Sequence, residues 1–235
     1  MKETVPIINN KNIVVIGGSS GIGKQLIEKL YKNNKIVSIS RNIEDSENKY
    51  LSIKSDISDI NEITDALEQA IKFLNTVDIF VITAASSTIK NFNEISEQDI
   101  INLVSTNIIG TTFSIKKIIN HMIHNNKGVI LCTSSISSLY SFKMNALYAA
   151  SKAFLNKLIR DISEEIKEYN IRINCVAPGL VDTLFINKTN INNEDVTNSI
   201  LSNKKIPVEN VVDVFLYLMS ENSKYINGST IEVNI

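Results

Sequence analysis

Ile13-Val14-Val15-Ile16-Gly17-Gly18-Ser19-Ser20-Gly21-Ile22-Gly23 decides the fold. Asn12–Ile16 is an apolar, β-branched run of strand length, and the amphipathic stretch Gly21–Asn33 that follows has helical spacing. Glycines punctuate the junction. There, backbone N–H groups can approach a phosphate at the positive end of a helix. The spacing is G-x-x-x-G-x-G, not the G-x-G-x-x-G of most dinucleotide sites. By itself such a turn is a weak signal that also fits a plain loop. Its place at the first strand-to-helix junction favours the phosphate cradle.

The pattern repeats outward from that point. Strands are expected at Asn12–Ile16, Lys35–Ile39, Tyr50–Ile53, Val77–Thr83, Gly128–Cys132, Ile171–Val176 and Thr230–Val233. Helices are expected at Gly21–Asn33, Asp59–Leu74, Glu97–Asn125, Asn145–Tyr169 and Val208–Ser220. Strands separated by helix-length crossovers imply an α/β fold: a doubly wound, Rossmann-like parallel sheet of seven strands with helices on both faces. No repeat, low-complexity tract or linker interrupts it, so residues 1–235 read as a single domain. Thr183–Lys205 is polar, asparagine-rich and long for a structureless connection, which favours a mobile substrate lid.

Composition narrows the function classes. The chain has 235 residues, 43% of them hydrophobic, enough for a sizeable core. A net charge of −1 argues against a nucleic-acid or polybasic membrane surface. The apolar run at Ile13–Ile16 is far too short for a membrane span, so a cytoplasmic protein is expected. Cys132 and Cys175 lie in expected strands without metal-like spacing and read as core thiols. His121 and His124 share a helix end with no further ligands nearby, so no metal site is expected.

A second constellation carries chemistry. Tyr148 and Lys152 are four residues apart on an expected helix, hence on one face. A free tyrosine has a pKa near ~10, too high for a proton shuttle at neutral pH, and a neighbouring cation lowers it. Ser135 lies thirteen residues before the tyrosine.

The glycine turn, Ser135, and Tyr148-x-x-x-Lys152, in this order, resemble the short-chain dehydrogenase/reductase family over nearly the whole chain. Among its branches the nearest shape is that of bacterial 3-oxoacyl-carrier-protein reductases, although Lys143-Met144-Asn145-Ala146 replaces the Gly-Gln before their tyrosine. The resemblance implies hydride transfer between a nicotinamide cofactor and a carbonyl or alcohol substrate. It implies Tyr148 as acid/base, Ser135 holding the substrate oxygen, Lys152 lowering the tyrosine pKa and binding ribose, and Asn107 holding a water in a relay to the lysine. Ser134 is the competitor for the Ser135 role. For the cofactor it implies Gly17, Ser19, Ser20, Gly21, Ile22 and Gly23 at the pyrophosphate, and Ala84 and Ala85 on the fourth strand's end. Asp56 and Ile57 would lie beside the adenine, with a turn or helix cap as the other reading of Asp56. Pro178, Gly179, Val181 and Thr183 would close on the nicotinamide and phosphate. Ser40 and Arg41 end the second strand where NAD-selective sites carry an acid, which implies NADP(H) over NAD(H). The alternative for Arg41 is a solvated loop residue.

Three positions depart from the family pattern. Ile16 stands for a threonine, Thr83 for an asparagine and Ala85 for a glycine, and the first two fall on neighbouring strands where they can compensate. The helices at 97–125 and 145–169 match those that pair in family dimers, so a homodimer or homotetramer is expected. A nucleotide sensor without turnover, or a structural subunit of a larger synthase, uses the same fold and stays open.

Overall fold

The structure is a computed structural model that describes residues 6–42, 49–182 and 205–234. Its sheet has seven strands: β1 (Asn12–Ile16), β2 (Lys35–Ser40), β3 (Leu51–Lys54), β4 (Ile79–Ile82), β5 (Gly128–Thr133), β6 (Ile171–Pro178) and β7 (Thr230–Val233). Every pairing is parallel, in the order β3-β2-β1-β4-β5-β6-β7. The winding reverses between β1 and β4, so a crevice opens above their carboxyl ends.

Helices α1 (Gly21–Leu30), α2 (Ile60–Leu74), α3 (Glu97–Leu103), α4 (Thr111–Asn125), α5 (Ala146–Glu165) and α6 (Val208–Met219) cover the sheet. Two cores result. On one side Val14, Ile16 and Phe80 pack with side chains of α2, α4 and α5. On the other Ile13, Val15 and Phe215 pack with α1 and α6. The period-2 alternation of β1 sends its residues to both cores, which is why the strand reads as continuously apolar. Phe80 and Phe215 are each 0% exposed, and burial of that size stabilises by roughly 2–3 kcal/mol apiece.

Local chemistry sets the helix ends. Asp59 caps α2 by accepting the Asn61 and Glu62 N–H groups at 2.9 and 3.1 Å. Ser96 and Asp99 form a reciprocal capping box at α3. Some boundaries differ from the sequence reading. The expected strand at Val77–Thr83 narrows to Ile79–Ile82, and the helix expected to reach Tyr169 ends at Glu165. The single helix expected over Glu97–Asn125 is interrupted by a π-helical segment, Val104–Gly110.

After β6, a parallel bridge joins Val181 to Ile206. Asp182 N–H donates to the Ile206 carbonyl at 3.1 Å, and Ile206 N–H to the Leu180 carbonyl at 2.7 Å. The expected lid, with Thr183, lies outside the described residues apart from Lys205. No helix among the described residues is long and apolar enough to cross a membrane.

Candidate active site

The glycine turn is built by close approach. Gly17 has φ +94° and Gly21 φ +53°, left-handed values that glycine adopts without strain. A Cβ at Gly17 would lie 2.5 Å from Ala84 N, and one at Gly23 would lie 2.4 Å from the Gly17 carbonyl oxygen. Thr83 holds the turn against β4. Its Oγ1 is within hydrogen-bonding reach of the Ile16 and Gly17 carbonyls at 3.2 and 3.1 Å, and its N–H donates to Ile16 O at 2.8 Å. The substituted Ile16 and Thr83 thus meet through a side chain-to-backbone bond. The close packing holds the strand-to-helix turn against β4 with its backbone lining the cleft at the N-terminus of α1, a setting that fits the pyrophosphate of a dinucleotide.

A single cleft of about 760 Å³ runs from this turn to Tyr148. Gly17, Ser19, Ser20, Gly21, Ile22, Ser40, Arg41, Asp56, Ile57, Ala84 and Ala85 line it, as do Ser135, Tyr148, Lys152, Pro178, Gly179 and Val181. Gly23 and Asn107 are absent from the lining: each sits behind the wall, positioning what faces the cleft. At the far end of β2 the Ser40 hydroxyl donates to the Asn42 carbonyl at 2.7 Å, and Arg41 is exposed. Asp56 is a turn residue as well as a lining one. Its Oδ1 accepts the Ser58 N–H and hydroxyl at 2.9 and 2.8 Å.

Tyr148 occupies the first turn of α5, a 20-residue helix with neither a side-chain cap nor an acid in that turn. An uncapped N-terminus favours negative charge on the phenol. The nearby Ser135 hydroxyl works in the same direction, yet burial outweighs it and pushes the phenol up to about 12. Lys152 is not among the groups that lower this phenol, and burial is the larger effect. The lysine Nζ lies 5.7 Å from the tyrosine ring centroid and donates to the Thr133 carbonyl at 2.7 Å. Burial in turn draws the Lys152 ammonium down to about 8, with Cys175 and Cys132 opposing. The two thiols face each other in register across β5 and β6 beneath it.

Of the two competing serines, Ser135 faces Tyr148. Ser134 is 2% exposed, and its hydroxyl pairs with that of Ser138 at 3.3 Å. Asn107 lies inside the π segment, and its amide is fully engaged: Oδ1 accepts Ser86 N–H at 2.8 Å, while Nδ2 donates to Ser86 O at 2.8 Å and Ser151 Oγ at 3.0 Å. It ties the end of β4 to α5. Widened helical turns of this kind recur at functional sites.

The sequence reading missed several participants. Ser86 and Ser151 anchor Asn107, Thr133 anchors Lys152, and Asn145 Nδ2 donates to Ser137 Oγ at 2.8 Å at the cleft edge. Their only signal was adjacency, since Ser151 precedes Lys152 and Thr133 precedes the serine pair. Among the described residues no group of three or more His, Cys, Asp or Glu could hold a metal ion.

With a nucleotide turn, a tyrosine–lysine–serine set and this strand order in one cleft, the chain has the form of a nicotinamide-dependent oxidoreductase. Residues 11–194 match the short chain dehydrogenase family model, and the chain belongs to that family. It is 30% identical to carbonyl reductase family member 4 of Xenopus laevis, covering 96% of this chain and 97% of that one. It is 26% identical to glucose 1-dehydrogenase 2 of Bacillus subtilis (strain 168), covering 97% and 94%. A solved 4-hydroxyisoleucine dehydrogenase complexed with NADH shares the fold at TM-score 0.87 and 22% identity, covering 96% of this chain and 97% of that one.

Proposed function

We propose that the protein is an NADPH-preferring carbonyl reductase in which Tyr148 is the proton donor. The observation that carries this reading is the Tyr148 phenol, held protonated by burial beside Ser135 in the cleft that contains the glycine turn. When bound, the cofactor supplies the hydride. Ser135 holds the carbonyl oxygen at the tyrosine, and Tyr148 gives that oxygen its proton. Lys152 presents a positive charge that stabilises the phenolate left behind. At neutral pH the phenol carries the proton that carbonyl reduction needs, and the Lys152 charge offsets the cost of releasing it.

Because the Asn107 side chain is engaged with Ser86 and Ser151, the reading gives the relay water to its backbone carbonyl. The cofactor would rest on Gly17, Ser19, Ser20, Gly21 and Ile22, with Ser40 and Arg41 at the 2′-phosphate and Asp56 and Ile57 at the adenine. Arg41, with no acid in the described end of β2, supports NADPH over NADH. The protein would act as a homodimer or homotetramer, supported by exposed Ile101, Ile109, Phe113 and Phe154 along the helices 97–125 and 145–169.

The test is Tyr148→Phe, assayed with NADPH and a panel of ketones. Turnover is expected to fall at least about a thousandfold while NADPH binding stays within about twofold, because the phenol acts only on the reacting oxygen. Retained turnover would remove the tyrosine from the mechanism, and tighter binding of NADH than NADPH would overturn the Arg41 assignment.

A further inference from the structure

We infer that the substrate carries an anionic oxygen group, a carboxylate or a phosphate, which pairs with Lys143 at the mouth of the cleft. This rests on the carbonyl-reductase reading and extends it to a substrate class. Four charged residues line the cleft among the described residues: Arg41, Asp56, Lys143 and Lys152. Arg41 and Asp56 belong to the β2 and β3 ends, with Asp56 engaged by Ser58. The Tyr148 end therefore holds two cations and no carboxylate among the described residues.

Lys152 is spent inside the wall, 4% exposed and bonded to Thr133. Lys143 is exposed, and among the described residues it has no ion-pair or hydrogen-bond partner. Several other exposed lysines do have one. Lys90, whose backbone is held to the adjoining residue, is neutralised by Asp99 at 2.6 Å.

The backbone at Lys143 is held at a cost. The next residue, Met144, has φ +59°, a left-handed value that is uncommon for a residue with a long side chain. Its carbonyl accepts the Lys90 N–H at 3.0 Å, which fastens the loop before α5 to the loop after β4. Strain of this kind persists where the surroundings over-determine it, and it concentrates at ligand-binding loops. Beside Lys143, Ser137 and Asn145 add hydroxyl and amide groups to the same wall, suited to further oxygens on the substrate. A cation with no carboxylate partner among the described residues, on a loop fastened by the Lys90–Met144 bond and lining the cleft that holds Tyr148, selects a negatively charged carbonyl compound.

The experiment compares matched pairs of oxo acids and their methyl esters, levulinate with methyl levulinate and acetoacetate with methyl acetoacetate, in wild type, Lys143→Met and Lys143→Arg. The expected result is a higher kcat/KM for each acid than for its ester. Lys143→Met should raise KM for the acids about fivefold, the order an exposed ion pair supplies, and leave the esters unchanged. Lys143→Arg should restore the preference, and added salt should weaken it. Equal handling of acid and ester, or equal losses for both in Lys143→Met, would overturn the inference and leave the reductase reading standing.

Levulinate binding to the NADPH complex, followed by ligand-observed NMR, separates the two ideas where neither probe turns over. Lys143-dependent binding keeps the anion site and sinks the reductase reading. Absent or Lys143-independent binding sinks the anion site.

Discussion

Replacing Lys152 by methionine is expected to stabilise the fold while ending turnover. The buried ammonium has its pKa drawn from 10.5 down to about 8, which corresponds to roughly 3 kcal/mol of unfavourable burial of the charged form. Methionine matches the length of the stem and adapts to irregular space. Losing the charge-assisted bond to the Thr133 carbonyl offsets about 2 kcal/mol of this. A net gain of about 1 kcal/mol at pH 7 follows, or about 3 °C in Tm for a chain of this size.

The pH dependence fixes the cause. Below about pH 8 both folded and unfolded chains hold the proton, and the full cost stands. Between about 8 and 10.5 only the unfolded chain holds it, so wild-type stability climbs and the advantage of the variant shrinks. Urea unfolding at pH 7 and at about pH 9.5, followed by circular dichroism, reads both effects. A variant less stable than wild type at pH 7, or a gap that does not narrow with pH, would refute the reasoning.

Gly17→Ala should destabilise the fold by about 2 kcal/mol or more and abolish NADPH binding, because φ +94° and an Ala84 nitrogen 2.5 Å from the new Cβ leave no room; thermal unfolding and NADPH fluorescence read the two effects. Thr83→Val keeps the shape and removes the hydroxyl bridge to the glycine turn, so the NADPH Kd should rise about fivefold. An unchanged Kd would show that the backbone bond to Ile16 suffices. Cys132 and Cys175 are both 0% exposed, and burial pushes the Cys132 thiol up to about 12. Neither should react with a thiol reagent in the folded protein, and both should react in denaturant.

Features of this protein that depend on short stretches of chain could be read from the sequence. The glycine turn and the Tyr148–Lys152 spacing each involve residues a few positions apart, so local geometry dictates them. The parallel, doubly wound class followed because strands alternate with helix-length crossovers. The π segment was invisible. Its Asn107 is held by Ser86 and Ser151, 21 and 44 residues away, and no local pattern records such contacts. The balance of effects on the Tyr148 phenol was hidden for a related reason. Spacing gives the distance to a cation, whereas burial depends on the whole fold, and here burial dominates. The setting of Lys143 is likewise non-local. Only the folded chain shows that Asp99 neutralises Lys90 while Lys143 is left facing the cleft.

The backbone clasp between Val181 and Ile206 has an evolutionary consequence. The two described residues that positions 183–204 connect, Asp182 and Lys205, are thus held close together beside the sheet. The entropy of closing such an excursion rises only logarithmically, by about 0.6 kcal/mol for each doubling of its length. The stretch can therefore be grafted from a relative, lengthened or trimmed without changing the register of β6 or the seat of α6. It is a cassette, and descendants of this chain can diversify there while the nucleotide half stays constant.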